Sequence, residues 1–545
     1  MRDDRHRHGI ELGGTAVPAL LTGYLACGVL VFVLGWTRLY VAVPTCAAYV
    51  FCTWRMLRSW RDEAALARRT VGRHEARRMP GCDAAARDAD VTEPLPLVRR
   101  TRMSPSVFAC AFVVLLLVGY LCGWGGFVPQ SGDWHKHNAV LHDLIDCPWP
   151  VVYRNRDETS LLTYYVAPYL LPALLGKATG SFEVAEVALG AWNFAGLFLV
   201  YLGCVRVTRA SDARRQLAVL VALLCFGALV APGSALVARL YPGIPTGEGH
   251  WFAFTQAHAL QYTPNLVQLR WVFGQALGTW ACMLLFFEHR DDIRFYVVFG
   301  LPVALYGILP FCGVLVLMVS YAVVRLVAGG DRRAVIAAVF SLENLLMTLT
   351  LGVMLFCYFS GNIFSSKPSQ LSLRLVGYSG HWLMYLVFAF FSFGVWALLV
   401  APAHRRDPVF WICVACLLAL PFFHLGAYND LVMRASIPFL FLLMLMVDCR
   451  LFEAGVSRIV KVALCVCLVV ASYTPVREIA LNERGDVVAD LTQAADGYLS
   501  LGYSANRSLA DKPEDLRYNY ESYDLEHNAF VRLLGRTPLP QVRED

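Results

Sequence analysis

Residues 105–127 read PSVFACAFVVLLLVGYLCGWGGF, an apolar run without a single charge, and the polar run GDWHKHN follows at 132–138. About 20 apolar residues are enough for a helix to cross the hydrocarbon core of a bilayer. Runs near this length recur along the 545 residues, of which 57% are hydrophobic and 16% charged, with a mean hydropathy of +0.51. A soluble protein would carry about 25% charged residues. The sequence therefore predicts an all-α polytopic membrane protein.

The apolar runs predict about 13 transmembrane helices, because each has roughly the length that a bilayer requires. Residues 161–176 are left out of this set. Pro168 and Pro172 disfavour a straight span in so short a run, which we expect to be interfacial or re-entrant. The predicted spans are residues 15–35, 39–54, 105–127, 184–205, 217–236, 266–287, 295–310, 312–328, 334–358, 381–400, 409–426, 436–448 and 459–474.

Loop charges give a predicted orientation. With 161–176 outside the spans, the arginine-rich connections around Arg206, Arg290 and Arg405 all fall on one side of the bundle. Connections rich in Lys and Arg stay on the cytoplasmic side of a membrane. We therefore expect an integral, multi-pass protein, of the plasma membrane, with a cytoplasmic N-terminus. The long loop 128–183 and the C-terminal tail are predicted to be non-cytoplasmic.

Four segments are expected along the chain: a two-span hairpin at 1–54, a basic cytoplasmic linker at 55–104, the main bundle at 105–474 and a non-cytoplasmic tail at 475–545. The net charge of +6 is spread over many loops and forms no single basic stripe, so nucleic acid is not an expected partner. Membrane lipids are expected partners, and anionic lipid is expected beside the linker.

The strongest candidate site is the polar run after 105–127. Residues 135–146 have apolar side chains at spacings of three and four, which predicts an amphipathic helix on the membrane surface, with Asp133 at its start. The functional interpretation makes Asp133 a general base and His135 or His137 a donor to substrate oxygens. The structural alternative makes Asp133 an N-cap and the histidines filler at the interface.

A metal site is a further alternative for the same loop. The His-x-His spacing of His135 and His137, with Asp133, His142 or Asp143, could hold a divalent cation. Neither an HExxH motif nor a set of cysteines accompanies it, so we expect no metal and no cofactor. The tyrosines of 161–176 suit either a membrane interface or stacking on a sugar face.

Several cations and polar side chains on the predicted outer face are candidate ligands for substrate or phosphate. Arginine presents a planar fork that suits phosphate oxygens. The alternative for Arg434 is a simple helix pair with Asp430. Glu343 is predicted to be an isolated carboxylate within a span, protonated or bonded to a neighbouring helix. The candidate ligands are Lys136, His258, Arg270, Lys367, Arg374 and Arg434.

The layout resembles the GT-C class of membrane glycosyltransferases. In that class a carboxylate follows a span in the first long outer loop, as Asp133 does in Gly132-Asp133-Trp134-His135-Lys136-His137, and interfacial helices follow it. The resemblance implies transfer of a sugar from a polyprenyl-phosphate-linked donor to a glycan, lipid or protein acceptor on the outer face. It makes Asp133 the base. Arg434, Arg374 or Lys367 would hold the leaving phosphate.

Two other enzyme or transport classes remain as alternatives. A polysaccharide polymerase or ligase is also polytopic and outward-facing. A multi-span transporter or flippase would place ionisable residues near the middle of its spans. A non-enzymatic membrane scaffold is the fourth interpretation.

Overall fold

The computed structural model describes most of the bundle together with parts of its loops and tail. The predictions for His258 and Lys367, for residues 77–100 of the linker and for most of the tail lie outside the described residues. The described residues are 10–12, 14–76, 101–128, 130–131, 133–155, 158–246, 252–254, 259–365, 373–426, 429–482, 520–522 and 525–536.

Helices dominate the described chain. Two pairs continue each other through a wider helical turn, α14 into α15 at Thr348–Gly352 and α16 into α17 at Phe390–Gly394. The helices are α1 (Ala16–Trp36), α2 (Leu39–Ala76), α3 (Pro105–Leu121), α4 (Trp134–Asp146), α5 (Ala167–Thr179), α6 (Phe182–Val207), α7 (Ala213–Cys225), α8 (Val230–Leu240), α9 (Asn265–Trp271), α10 (Phe273–His289), α11 (Tyr296–Gly300), α12 (Ile308–Ala328), α13 (Arg332–Val339), α14 (Leu342–Met347), α15 (Val353–Ser365), α16 (Trp382–Ala389), α17 (Val395–His404), α18 (Pro408–Ala419), α19 (Asp430–Ala435), α20 (Ile437–Phe452) and α21 (Arg458–Asn482).

Eight helical segments of the described chain are long and apolar enough to cross a membrane, and they confirm a helical, multi-pass membrane protein. Three shorter apolar helices, Pro105–Leu121, Ile293–Leu305 and Pro408–Phe422, coincide with further predicted spans. The count of about 13 stays a prediction. The eight segments are Ala16–Trp36, Phe182–Val207, Ala213–Leu240, Ile308–Ala328, Arg332–Gly361, Trp382–His404, Asp430–Phe452 and Arg458–Ala480.

Residues 161–176 do not form one straight helix. Residues up to Leu162 belong to a strand, and α5 begins only at Ala167, with Pro168 in its first turn. Proline fits there because the first turn of a helix leaves its N–H groups unpaired. Helix α5 ends at Gly180, whose left-handed φ of 68° suits a residue without a Cβ. The expectation that 161–176 is not one straight helix is therefore met, although Pro172 lies inside α5, and its interfacial or re-entrant position stays a prediction. Helix α5 packs against α1, α4 and α6.

The connections predicted to be cytoplasmic meet at one end of the bundle. Arg206 forms an ion pair with Glu288 at 2.6 Å, and both side chains are almost fully buried. Another pair at the same end joins Arg290 to Asp407 at 2.7 Å. Buried ion pairs are tolerated where each charge has a close partner. The side of the membrane on which this end lies stays a prediction.

Glu343 bonds to a neighbouring helix, as one of its two predicted alternatives has it, and its partner is a charge that the sequence context did not show. Glu343 lies in the first turn of α14, where its carboxylate forms an ion pair of 2.8 Å with Arg55 of α2. The sequence could not reveal this partner, because Arg55 is far away in the chain and is brought close only by packing of the two helices.

Short antiparallel strands lie in the loops at the ends of the helices. A three-stranded sheet in the first long loop contains β3, β4 and, from the tail, β9, in the order β3-β4-β9. A two-stranded ribbon pairs β7 with β8 and so joins residues before α16 to residues before α19. The strands are β1 (Ile10–Leu12), β2 (Thr101–Met103), β3 (Val152–Asn155), β4 (Glu158–Leu162), β5 (Ala253–Phe254), β6 (Ala259–Leu260), β7 (Arg374–Leu375), β8 (Phe423–His424) and β9 (Glu521–Ser522).

Candidate functional site

Asp133 lies at the first turn of α4, but it does not cap the helix. The turn is closed by the backbone, because the N–H of Trp134 donates to the carbonyl of Ser131 at 2.8 Å. Within the described chain, the Asp133 carboxylate accepts no hydrogen bond from the N–H groups of the helix start. It instead forms an ion pair with Lys136 at 3.0 Å, and its side chain keeps 34% of its exposure. Asp133 therefore occupies the N-cap position without capping the helix through its side chain, and its carboxylate is partly exposed.

A second ion pair reaches the same place from the far end of the sequence. In α19, Arg434 pairs with Asp430 at 2.8 Å across one helical turn. The charge of Arg434 also acts on Asp133 and on Lys136. The residue before this helix, Asn429, adopts a left-handed conformation and donates from its side-chain amide to the carbonyl of Phe423 at 3.1 Å. The sharp turn at Asn429 sets the direction in which α19 leaves the ribbon.

Tyrosines surround these charges. The rings of Tyr164 and Tyr165 lie 3.7 Å apart between centroids, and Tyr520 from the tail lies 4.9 Å from Tyr164. Tyr358 of α15 fixes this segment, since its hydroxyl accepts from the N–H of Tyr164 at 3.0 Å. Tyr165 lies within electrostatic range of both Lys136 and Arg434. We name the group of Asp133, Lys136, Tyr165, Arg434 and Tyr520 the Asp133 cluster.

The charges of the Asp133 cluster keep its acid and its base ionised. Burial raises the pKa of Asp133, but the charge and hydrogen bond of Lys136, with the charge of Arg434, hold that pKa below its usual value. Burial lowers the pKa of Lys136, whereas Tyr520 and Asp133 raise it, and the net result is a raised pKa. At neutral pH the cluster therefore presents a carboxylate beside an ammonium and a guanidinium.

His137 points away from these charges into the protein. Its Nδ1 lies 2.6 Å from the hydroxyl of Tyr169, and its Nε2 lies 3.1 Å from the carbonyl of Trp271. A carbonyl can only accept, so Nε2 carries the hydrogen and Nδ1 accepts from Tyr169. Burial and the charge of Lys136 lower the pKa of His137 to about 3. The ring is therefore neutral and ties α4 to α5 and α9.

This burial predicts a dependence of stability on pH. Because the pKa of His137 is lower in the folded protein than in the unfolded chain, the unfolded chain binds an extra proton between about pH 6.5 and pH 3. The stabilisation by neutral His137 is thus complete above about pH 6.5 and is lost as the pH falls towards 3. In His137→Gln, the thermal unfolding temperature in detergent should depend less steeply on pH over this range. An equally steep dependence in both proteins would contradict the buried, neutral ring.

The other candidate ligands are not members of the Asp133 cluster. Arg270 is buried, and its guanidinium donates to the carbonyl of Glu478 in α21. Arg374 is exposed on β7, opposite His424 on β8. The pairing of β7 with β8 thereby places Arg374 next to the segment that leads to α19. His135 lies in α4, but its side chain is outside the described part of the structure, as are His258 and Lys367.

The described acids and His142 of α4 have close partners within the first long loop. His142 pairs with Asp146 at 3.2 Å, and Asp143 accepts a hydrogen bond of 2.7 Å from the hydroxyl of Tyr153. Among the residues that the structure describes, no group of three or more His, Cys, Asp and Glu side chains could hold a metal ion. The metal alternative that includes His135 stays a prediction, because the His135 side chain lies outside the described structure.

Sequence reasoning missed Tyr520. The tail carries several tyrosines near its end, which was the only available signal, and strand pairing was needed to place one of them beside Asp133. Comparisons of the chain with protein-family models, curated proteins and solved structures find no match. The function is therefore inferred from the residues of the Asp133 cluster.

Proposed function

We propose that this protein is a membrane glycosyltransferase that moves a sugar from a polyprenyl-phosphate-linked donor to an acceptor hydroxyl on the outer face. The observation that carries the proposal is the accessible Asp133 carboxylate, paired with Lys136 and under the charge of Arg434. Transfer of a glycosyl group from a phosphate requires a base for the acceptor hydroxyl and, beside it, positively charged side chains for the phosphate. The acceptor is a glycan, a lipid or a protein.

In the proposed reaction, Asp133 removes the proton of the acceptor hydroxyl. The acceptor oxygen forms a bond to the anomeric carbon while the bond from that carbon to the phosphate oxygen breaks. The electron pair of the broken bond stays on the leaving polyprenyl phosphate. Lys136 and Arg434 stabilise the negative charge that develops on this phosphate. Attack from the face opposite the phosphate inverts the configuration of the sugar.

The ion pairs of the site without substrate support a role for the donor phosphate in making Asp133 a stronger base. Both cations of the site are paired with carboxylates, Lys136 with Asp133 at 3.0 Å and Arg434 with Asp430 at 2.8 Å. An arriving phosphate competes for the same donors, and charge-assisted bonds to its oxygens are strong. When Lys136 turns to the phosphate, Asp133 loses a neighbouring positive charge and becomes a stronger base.

The remaining candidates take secondary places in this proposal. His137 is a positioning residue that holds α4, and Arg374, exposed on β7, is in this proposal a further cation for the headgroup of the donor. His135 remains a candidate donor to substrate oxygens. The tyrosines beside Asp133 offer rings to the apolar face of a sugar.

The topology completes the proposal. In this proposal, about 13 spans and a cytoplasmic N-terminus leave α4 and the tail on the outer face of the plasma membrane, and the polyprenyl-linked donor is bound there. Vesicles containing the purified protein and a panel of polyprenyl-phosphate hexoses and pentoses would test the activity. Transfer of labelled sugar to an added glycan or lipid acceptor is the expected result.

Asp448 provides a test against the transporter alternative. It is fully buried in α20, and neither of its carboxylate oxygens has a hydrogen-bond partner among the described residues. Transporters depend on such ionisable residues within their spans. Because the proposed chemistry does not use Asp448, the variant Asp448→Asn, which removes the ionisable group but hardly changes the size of the side chain, should transfer sugar at close to the wild-type rate. A loss as large as that expected for Asp133→Asn would favour transport.

A further inference from the structure

The ribbon of β7 and β8 has one apolar face and one polar face. Its antiparallel pairing places Leu375 opposite Phe423 and Arg374 opposite His424. Successive side chains of a strand point to opposite faces, whereas two residues directly opposite each other share a face. Leu375 and Phe423 therefore lie on one face of the ribbon, and Arg374 and His424 lie on the other. By the same alternation Leu373 belongs to the apolar face.

The described chain leaves this apolar face largely uncovered. The exposed fraction is 79% for Leu375 and 59% for Leu373, and Phe423 is half-buried. Single exposed apolar side chains are ordinary on a protein surface, but a contiguous apolar patch marks an interaction site. The apolar face of the ribbon thus requires a partner that covers leucine side chains.

The base of the ribbon contacts aromatic rings at the end of a membrane span. The rings of Tyr378 and Trp382 lie 5.4 Å and 6.0 Å from that of Phe422, the residue before β8. The hydroxyl of Tyr378 also donates to the carbonyl of Pro421 at 2.8 Å. Trp382 is the first residue of Trp382–His404, which is long and apolar enough to cross a membrane. Tyrosine and tryptophan are enriched where spans meet the membrane–water interface, so these rings indicate the interface beside the ribbon.

Exposed apolar side chains lead from the lipid-facing side of α16 to the ribbon. Leu383 and Leu386 of α16 and Phe390 after it are exposed at a helical spacing of three and four. Because α16 belongs to a membrane span, this side of the helix faces acyl chains. Trp382 is also exposed, and its contact with Phe422 connects this side of α16 with the ribbon. The partner that continues from α16 to the ribbon is the lipid.

We propose that the ribbon of β7 and β8 is a membrane-docking element, whose Leu373 and Leu375 side chains reach among phospholipid acyl chains while its backbone lies at the level of the headgroups. A two-stranded ribbon has unpaired N–H and C=O groups along its outer edges, which cannot be exposed to the hydrocarbon core. Headgroups and water can bond to these groups. Arg374, on the opposite face, stays in this polar layer, where phosphates are available to a cation.

Docking of the ribbon has a consequence for α19. The side-chain amide of Asn429, just before this helix, donates to the carbonyl of Phe423 at 3.1 Å, and its oxygen accepts from the N–H of Leu425 at 3.2 Å. These two bonds tie the start of α19 to β8. A docked ribbon therefore holds α19, which carries Arg434, near the membrane surface. The docking concerns the protein without substrate and does not depend on the proposed function.

Site-specific photo-crosslinking of the full-length protein in phosphatidylcholine vesicles tests the proposal. The photoreactive residue p-benzoylphenylalanine replaces Leu375, Val469 or Asp62, one at a time. On irradiation it bonds to C–H groups in contact with it, and mass spectrometry measures the fraction of protein that carries a lipid. The lipid adduct at Leu375 should be comparable with that at Val469 and several-fold more frequent than that at Asp62.

The two control positions are matched to Leu375 by exposure. Val469 is 72% exposed and lies within the span Arg458–Ala480, so it reports contact with acyl chains. The side chain of Asp62 is 75% exposed and lies in a charged part of α2, where it pairs with Arg58. Differences in lipid adducts among the three positions therefore reflect the surrounding medium and not the accessibility of the probe.

The same probe at Leu373 and Arg374 tests which face of the ribbon meets the lipid. Leu373 should form lipid adducts about as often as Leu375, because both lie on the apolar face. Arg374 lies between them in the chain but on the opposite face, so its lipid adducts should be several-fold less frequent. A high, low, high pattern over the three consecutive positions is the expected result.

Three outcomes would overturn the proposal. Lipid adducts at Leu375 no more frequent than at Asp62 would mean that the apolar face lies in water. Crosslinks to a second copy of the chain or to another segment of the same chain, in place of lipid, would mean that protein covers this face. Equal lipid adducts at Leu373, Arg374 and Leu375 would mean that no single face meets the lipid. An inactive wild-type protein with the expected adducts would refute the proposed function and leave the docking intact.

Discussion

Asp133→Asn should lower the rate of sugar transfer by about a thousandfold, which is within the usual contribution of a general base. Asparagine keeps the size of the side chain but cannot accept the proton of the acceptor hydroxyl. It also removes the partner of Lys136, whose ammonium remains available to the donor phosphate. We therefore expect the affinity for the polyprenyl-phosphate donor to be kept while turnover is lost. The measurement is a comparison of kcat and donor binding in reconstituted vesicles.

Asp146→Asn is the matched control for this variant. Asp146 belongs to the same helix, but its side chain is 61% exposed and pairs only with His142 in the described chain. It should transfer sugar like the wild type. Because the Asp133 carboxylate does not cap α4, its replacement should also leave the unfolding temperature almost unchanged. Retained transfer in Asp133→Asn would refute the assignment of the base.

Arg434→Gln should lower the transfer rate by a factor of roughly 100 to 1,000, the usual effect of removing one donor to a developing negative charge. Arg434 is the only guanidinium of the Asp133 cluster, and its fork can bind two phosphate oxygens at once. Arg434→Lys keeps the charge but loses this geometry, so we expect an intermediate rate. Donor affinity should fall as well, because the ground-state phosphate is also an anion.

A double variant removes the main objection to this prediction. Loss of Arg434 leaves Asp430 without its partner at 2.8 Å, and the freed carboxylate could repel the donor phosphate. Asp430→Asn combined with Arg434→Gln removes both charges and should remain as slow as Arg434→Gln alone. Recovery of transfer in the double variant would show that Arg434 acts only by neutralising Asp430. Arg239→Gln, at an exposed position of α8, should have no effect.

Much of the site could be predicted from sequence because it depends on local patterns. An apolar run followed by a cluster of charges marked Asp133 and Lys136, and the spacing of apolar residues predicted α4. The same logic could not assign roles within the cluster. Histidine is a common general acid or base, but both ring nitrogens of His137 are engaged, one by the hydroxyl of Tyr169 and the other by the carbonyl of Trp271.

The membrane class of this protein follows from hydropathy and the length of its apolar runs, because the bilayer sets both and no knowledge of contacts is needed. Helical periodicity predicted α4, and proline predicted that 161–176 is not one straight helix, since both act over a few residues. Only the tertiary structure brought Arg434 and Tyr520 to Asp133 and paired Glu343 with Arg55. These contacts join segments separated by hundreds of residues, and they form because helix packing and an added strand bring those segments together. Charge interactions depend on distance in space, which local sequence patterns do not encode.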